Sequence, residues 1–129
     1  MRLTTNFSLP EFASKDGSDF PEDVKVNLAE LAKNLQALRD HFGRSITITS
    51  GYRSASHNLR IGGARDSFHV RGMAADIQIS GITPKQVYDA IEQLIKEGKM
   101  KEGGLGLYDR WTHYDLRNKR IRWDKSTKR

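Results

Sequence analysis

From Val24 through Leu28, Leu31, Leu35 and Leu38 to Phe42, apolar residues recur at threes and fours, and this stripe constrains the fold more than any other feature. The spacing puts them on one face of a helix running from Glu22 to about Phe42. Gly43 follows as a stop. That face is core. Ser8-Leu9-Pro10-Glu11 fits a capping box and opens a short helix around Glu11–Ala13, with a polar loop over Lys15–Pro21. Ile46-Thr47-Ile48-Thr49 alternates as a strand does, and the polar stretch from Ser50 to Asp66 reads as a long loop. Ala74–Ile79 predicts a second strand. Thr83 as N-cap, Pro84 at N1 and Gln86 at N3 start a helix to about Glu97, with Val87, Ile91, Leu94 and Ile95 inward and Gly98 after it. Gly104–Tyr108, Thr112–Arg117 and Arg120–Trp123 complete the strands. Helices first, then a mainly antiparallel sheet with one inserted helix, is the α+β class: a small, mainly antiparallel sheet packed against helices. The 129 residues suit one domain, 1–129, with no internal repeat or low-complexity linker.

The chemistry concentrates in Ser67-Phe68-His69-Val70-Arg71-Gly72-Met73-Ala74-Ala75-Asp76 and, far downstream, His113-Tyr114-Asp115. His69, Asp76 and His113 offer two imidazoles and a carboxylate in a chain without cysteine. Two His and one acid suit a catalytic zinc, which keeps a position open for water; a closed structural site wants four protein ligands, often thiolates. His69 and Asp76 can sit at the two ends of one turn-and-strand unit, and a metal shared with His113 ties distant segments together. Gly72, Ala74 and Ala75 leave room beside the site. Taken singly, each residue has a plainer reading, a surface or core histidine or a turn aspartate.

The charge is uneven. Residues 1–116 balance 15 Lys/Arg against 15 Asp/Glu, whereas residues 117–129 set seven basic residues against Asp124. The net +6 therefore sits at the end of the chain, as Arg117, Lys119, Arg120, Arg122, Lys125, Lys128 and Arg129. The tail reads either as a frayed, solvated terminus or as an attraction to a polyanion, nucleic acid or an anionic cell wall. No recognised nucleic-acid motif accompanies it. No stretch approaches the ~20 apolar residues of a membrane span, so no membrane role is expected. Met1–Asn6 lacks the apolar run of a secretory signal, which leaves a cytoplasmic protein released by another route or one carried on a particle. A monomer is the default expectation.

Ser50-Gly51-Tyr52-Arg53-Ser54, His57-Asn58, Gly62-Gly63-Ala64, Ser67-x-His69-x-x-Gly72-x-Ala74-x-Asp76, Gly104-x-Gly106-x-Tyr108 and Trp111-x-His113-x-Asp115-x-Arg117 together resemble the M15 zinc peptidases. The likeness is greatest to the D-alanyl-D-alanine carboxypeptidase-like branch with the hedgehog/DD-peptidase fold. The blocks run in order from Phe7 to Trp123, and single-domain members of this size occur among phage endolysins. The resemblance implies a Zn2+ cofactor held by His69, Asp76 and His113, and a peptidoglycan stem peptide as substrate, cut by a carboxypeptidase or an endopeptidase. It makes Arg53 the grip on substrate or oxyanion, a task a planar guanidinium suits. Ser67 and Asp66 would order the ligand loop. Many relatives carry a Glu or His two or three residues before the last ligand as general base; here those positions are Trp111 and Arg110, which cannot serve. Asp115 shares a strand face with His113 and is the substitute, either deprotonating the water or orienting an imidazole. Tyr108 either donates to the tetrahedral intermediate or packs. Phe68 stands where relatives often have a polar residue. The missing acid keeps open a second reading: a non-catalytic, metal-stabilised cell-wall-binding or virion module on the same fold.

Overall fold

The computed structural model describes residues 1–64 and 66–127. Three helices, α1 (Glu22–Phe42), α2 (Ala55–Arg60) and α3 (Pro84–Lys96), accompany five strands. The strands are β1 (Ile46–Ser50), β2 (Ala74–Ile79), β3 (Gly104–Leu107), β4 (Thr112–Asp115) and β5 (Ile121–Asp124). The architecture is the expected α+β one.

α1 forms where the apolar stripe predicts it, and Leu28, Leu31, Leu35 and Leu38 along it lose all solvent contact. Burying each such side chain contributes roughly 1.5–3 kcal/mol before entropy is counted. Gly43 ends the helix in the left-handed conformation, its N–H returning to the Arg39 carbonyl. α3 opens on its capping box: the Thr83 hydroxyl accepts from the Gln86 N–H at 3.1 Å, and Gln86 Oε1 accepts from the Thr83 N–H at 2.9 Å. The short N-terminal element is a 3-10 turn over Leu9–Phe12, within a residue or two of expectation.

One element departs from the sequence reading, and one strand pairing goes beyond it. The stretch after Ser50 is not all loop, since it contains α2. Ser54 caps this helix, accepting from the His57 N–H at 3.1 Å, and is itself anchored by donating to Asp16 at 2.5 Å. With Leu59 and Ile61 exposed, the helix has no apolar face to betray it. Secondly, β5 does not fold back on β4. The sheet order is β1-β2-β4-β3-β5, antiparallel throughout except that β5 runs parallel to β3.

Alternation along the strands separates two sheet faces. Ala75, Ile77, Leu105 and Tyr114 are buried with the apolar residues of α1 and α3 in one core cluster. Asp76, His113 and Asp115 alternate with them and so lie on the opposite face.

Candidate metal centre

The strand register builds the site. Asp76 of β2 sits directly across from His113 of β4, Gly106 of β3 lies on the other side of His113, and Gly104 beside Asp115. His69 arrives from the turn before β2. Its backbone N–H donates to Ser67 Oγ at 3.2 Å, and its carbonyl accepts from the Arg53 N–H at 3.1 Å. The three side chains are buried, and one donor atom from each lies within 4.8 Å of the others. Asp76 Oδ1 is 2.9 Å from His113 Nδ1 and 3.5 Å from His69 Nε2. Among the described residues no other group of His, Cys, Asp or Glu converges in this way.

The remaining nitrogens are tied. His69 Nδ1 lies 2.8 Å from the Gly51 carbonyl, which can only accept, so Nδ1 carries a proton and Nε2 is the nitrogen that faces the shared centre. His113 Nε2 lies 2.7 Å from Asp115 Oδ2, which leaves Nδ1 for the shared centre. Imidazoles pinned at the far nitrogen by a carbonyl and a carboxylate are what a metal-binding pair needs, so the donor set and its surroundings fit a divalent ion.

The same groups shift one another's titration. Burial alone pushes the Asp76 carboxyl up, but hydrogen bonds and charge from His113 and His69 outweigh it and hold it well below the usual carboxylate range. Burial pushes the His113 imidazole down; Asp115 and Asp76, one at each nitrogen, reverse this and raise it. Asp115 is pushed up by burial and pulled further down by His113 and Arg117.

Asp115 has no exposed surface. Its Oδ1 accepts from the N–H of Gly104 and from the N–H and Nε of Arg117, and its Oδ2 from Arg117 Nη2 at 2.7 Å while facing His113. Every lone-pair direction is used. The two glycines of Gly104-x-Gly106 make this possible: a Cβ on Gly104 would overlap the Asp115 carboxylate and Arg117, and one on Gly106 would overlap the Trp123 indole.

Above the centre lies a cleft of about 670 Å3 whose lining includes Arg53, Asp66, Ser67, Tyr108, Trp111 and Lys125. Arg53 points Nη2 at Asp76 Oδ2, 3.6 Å away, and its Nη1 donates to Asn58 of α2. Burial draws its pKa down from the usual arginine value, opposed by Asp76 and Tyr108. The Tyr108 oxygen accepts from Trp123 Nε1 at 2.9 Å, and its ring stacks on Trp111 at 4.5 Å. Ser67 lines the rim. The structure thus gathers Arg53, Ser67, Tyr108 and the three donors at one cleft, with Asp115 beneath its floor. His57 does not line it. Arg117, Trp123 and the packing role of Phe68 escape a reading by residue type; the small residues at 104 and 106, facing an Asp-x-Arg pair, were the available signal.

The three described arginines of the basic segment are paired with acids. Arg122 pairs with Glu92 and Glu102 at 2.9 and 2.6 Å, and Arg120 with the same two acids. Arg117 is taken by Asp115. Lys128 and Arg129 lie outside the described residues. No helix among the described residues is long and apolar enough to cross a membrane.

Two comparisons bear on this geometry. The peptidase M15 family model matches residues 4–115. Over 87 residues the chain is 32% identical to a Haemophilus influenzae protein named a probable peptidoglycan L,D-endopeptidase, MepK. That alignment covers 64% of this chain and 44% of the relative, so the chain spans less than half the length of the curated relative it matches.

Proposed function

The chain belongs to the peptidase M15 family, and from that premise we propose that it is a zinc-dependent peptidase cutting amide bonds within peptidoglycan stem peptides, as an endopeptidase. The observation that carries this reading is the convergence of His69 Nε2, Asp76 Oδ1 and His113 Nδ1 on the cleft floor, each imidazole tied at its other nitrogen. The endopeptidase form is supported by the relative's name.

In this reading those three atoms hold the ion. Zinc, when bound, supplies Lewis acidity toward water and the scissile carbonyl. Arg53 leans on the substrate from the cleft wall, where its largely buried guanidinium meets a carbonyl or carboxylate oxygen in a partly dried site. Tyr108 accepts from Trp123, so its own proton is available to a developing oxyanion. Ser67 holds the turn that presents His69. Asp115 orients His113 rather than taking a proton, because it is sealed from the cleft and saturated with donors. Proton carriage from water to the leaving amine then falls to Asp66, which with Asp76 supplies the cleft's lining carboxylates and is not one of the three donors.

The test is release of new amines from purified peptidoglycan by zinc-loaded wild type, His113→Ala and Asp66→Asn. Wild type is expected to cut. His113→Ala should lose both zinc and activity, and Asp66→Asn should keep zinc and lose at least ~100-fold in turnover. Fragment analysis separates loss of a terminal D-alanine from internal cleavage. Wild type that binds zinc and cuts no wall preparation would leave a non-catalytic wall-binding or virion module as the better reading.

A further inference from the structure

We propose that Arg117 is a positioning residue for the metal centre, and that Phe68 and Trp123 are the clamp that holds it in place. The inference rests on reading His69, Asp76 and His113 as a metal site.

Arg117 reaches Asp115 with two arms of its guanidinium, Nε to Oδ1 at 2.9 Å and Nη2 to Oδ2 at 2.7 Å, and adds its own backbone N–H to Oδ1 at 3.0 Å. A bidentate fork fixes the plane of a carboxylate as well as its position. The carboxylate plane sets where Oδ2 meets His113 Nε2, and that contact sets where His113 Nδ1 points. A planar cation is therefore two steps from the ligand atom.

The fork is fixed in turn. The Arg117 guanidinium carbon lies 4.6 Å from the centre of the Phe68 ring and 5.2 Å from that of Trp123. Trp123 cannot swing freely, since its Nε1 donates to Tyr108 and its ring lies 5.0 Å from that of His113. Phe68 carries a second cation, with Arg71 5.1 Å from its centre. Phe68 directly precedes the ligand His69, so the clamp joins the turn that carries one imidazole to the strand that carries the other. A polar residue at position 68 would offer no such face. The packing thus gives Phe68 a role beside the metal.

Lysine would keep the charge and lose both the fork and the flat stacking surface. The measurement is zinc dissociation constants by competition with a chromogenic chelator, on full-length variants whose melting shows them folded. Arg117→Gln is expected to weaken zinc binding by about 10-fold or more, and Arg117→Lys to recover only part of it. Phe68→Leu should weaken it less, in the same direction. If Arg117 acts through Asp115, then in an Asp115→Ala background Arg117→Gln costs less than about twofold more. Arg120→Gln, which breaks only the outer ion pairs to Glu92 and Glu102, should leave the constant unchanged.

Wild-type affinity in Arg117→Gln overturns the proposal, and so do Arg117→Gln and Asp115→Ala losses that simply multiply. If the Arg117 variants fail to fold, Phe68→Leu decides, and unchanged zinc affinity there overturns it. Wild type that binds no zinc removes the metal reading itself, and this inference with it. Wild type that binds zinc but cuts no wall leaves the Arg117 result standing on its own.

Discussion

The two faces of the sheet come from the same strands, residue by residue, and obey different rules. On β3, Leu105 joins the core cluster with the helices while Gly104 and Gly106 turn toward the cleft. On β4, Tyr114 enters the core and sends its hydroxyl to the Lys101 carbonyl at 2.6 Å; His113 and Asp115 face the other way. The helix-packed face is filled by volume. The cleft face is emptied at Gly104 and Gly106 so that Asp115, Arg117 and Trp123 can occupy the space. One face gains stability from burial. The other holds a stack of charges, which costs desolvation and is retained only because every buried partner is satisfied; no buried side-chain polar atom among the described residues lacks a hydrogen-bond partner.

If the faces are separable, adjacent residues on β3 should fail differently. Leu105→Ala should cost about 2–5 kcal/mol in urea unfolding, with zinc affinity held within about twofold. Gly104→Ala should cost about 1–3 kcal/mol by overpacking, and should weaken zinc about 10-fold because the new methyl displaces the Asp115–Arg117 pair. Parallel losses of zinc in both variants would mean that the core face sets the site geometry directly, and the contrast would fail.

The helix-packed face was the more legible half in the sequence. The α1 stripe, the Thr83-Pro84-Lys85-Gln86 start of α3 and the strand alternation are local signals, and the structure places these elements within a residue or two of expectation. Pairing is not local. Nothing between Leu116 and Arg120 says that β5 passes β4 to run beside β3, and six residues of α2 carry no amphipathic period. At the cleft, donor chemistry singled out His69, Asp76 and His113. Asp115 was visible as a residue on the same face as His113, but alternation cannot show that its lone pairs are already taken. Arg117 was counted into a charge total, which hides partners. The same count made the last thirteen residues look like a free polycation, although Arg117, Arg120 and Arg122 are each paired with acids.

The smallest effect compares two arginines. Arg117 meets an acid with no exposed surface, whereas Arg122 meets Glu92 and Glu102, whose side chains keep 29% and 37% of their exposure. Hydrogen bonds from Arg122 lead in lowering Glu92; in Glu102 burial pushes up, and Arg122 with the Gly103 N–H pulls further down. Both carboxyls titrate lower in the folded chain than in the unfolded one. Their contribution is therefore full above the ordinary glutamate value of 4.5 and fades as pH falls through the folded values. Arg122→Gln should then cost about 1 kcal/mol at pH 7, the upper range for partly exposed pairs, and the gap to wild type should narrow as pH falls below the ordinary glutamate value of 4.5. It should not close fully, because Arg122 also donates to the carbonyls of Gly103 and Ile121. Zinc affinity should not move, since this clamp sits on the helix side of the sheet. A stability gap that stays constant with pH would assign the role of Arg122 to those carbonyl bonds and to packing instead of to its acids.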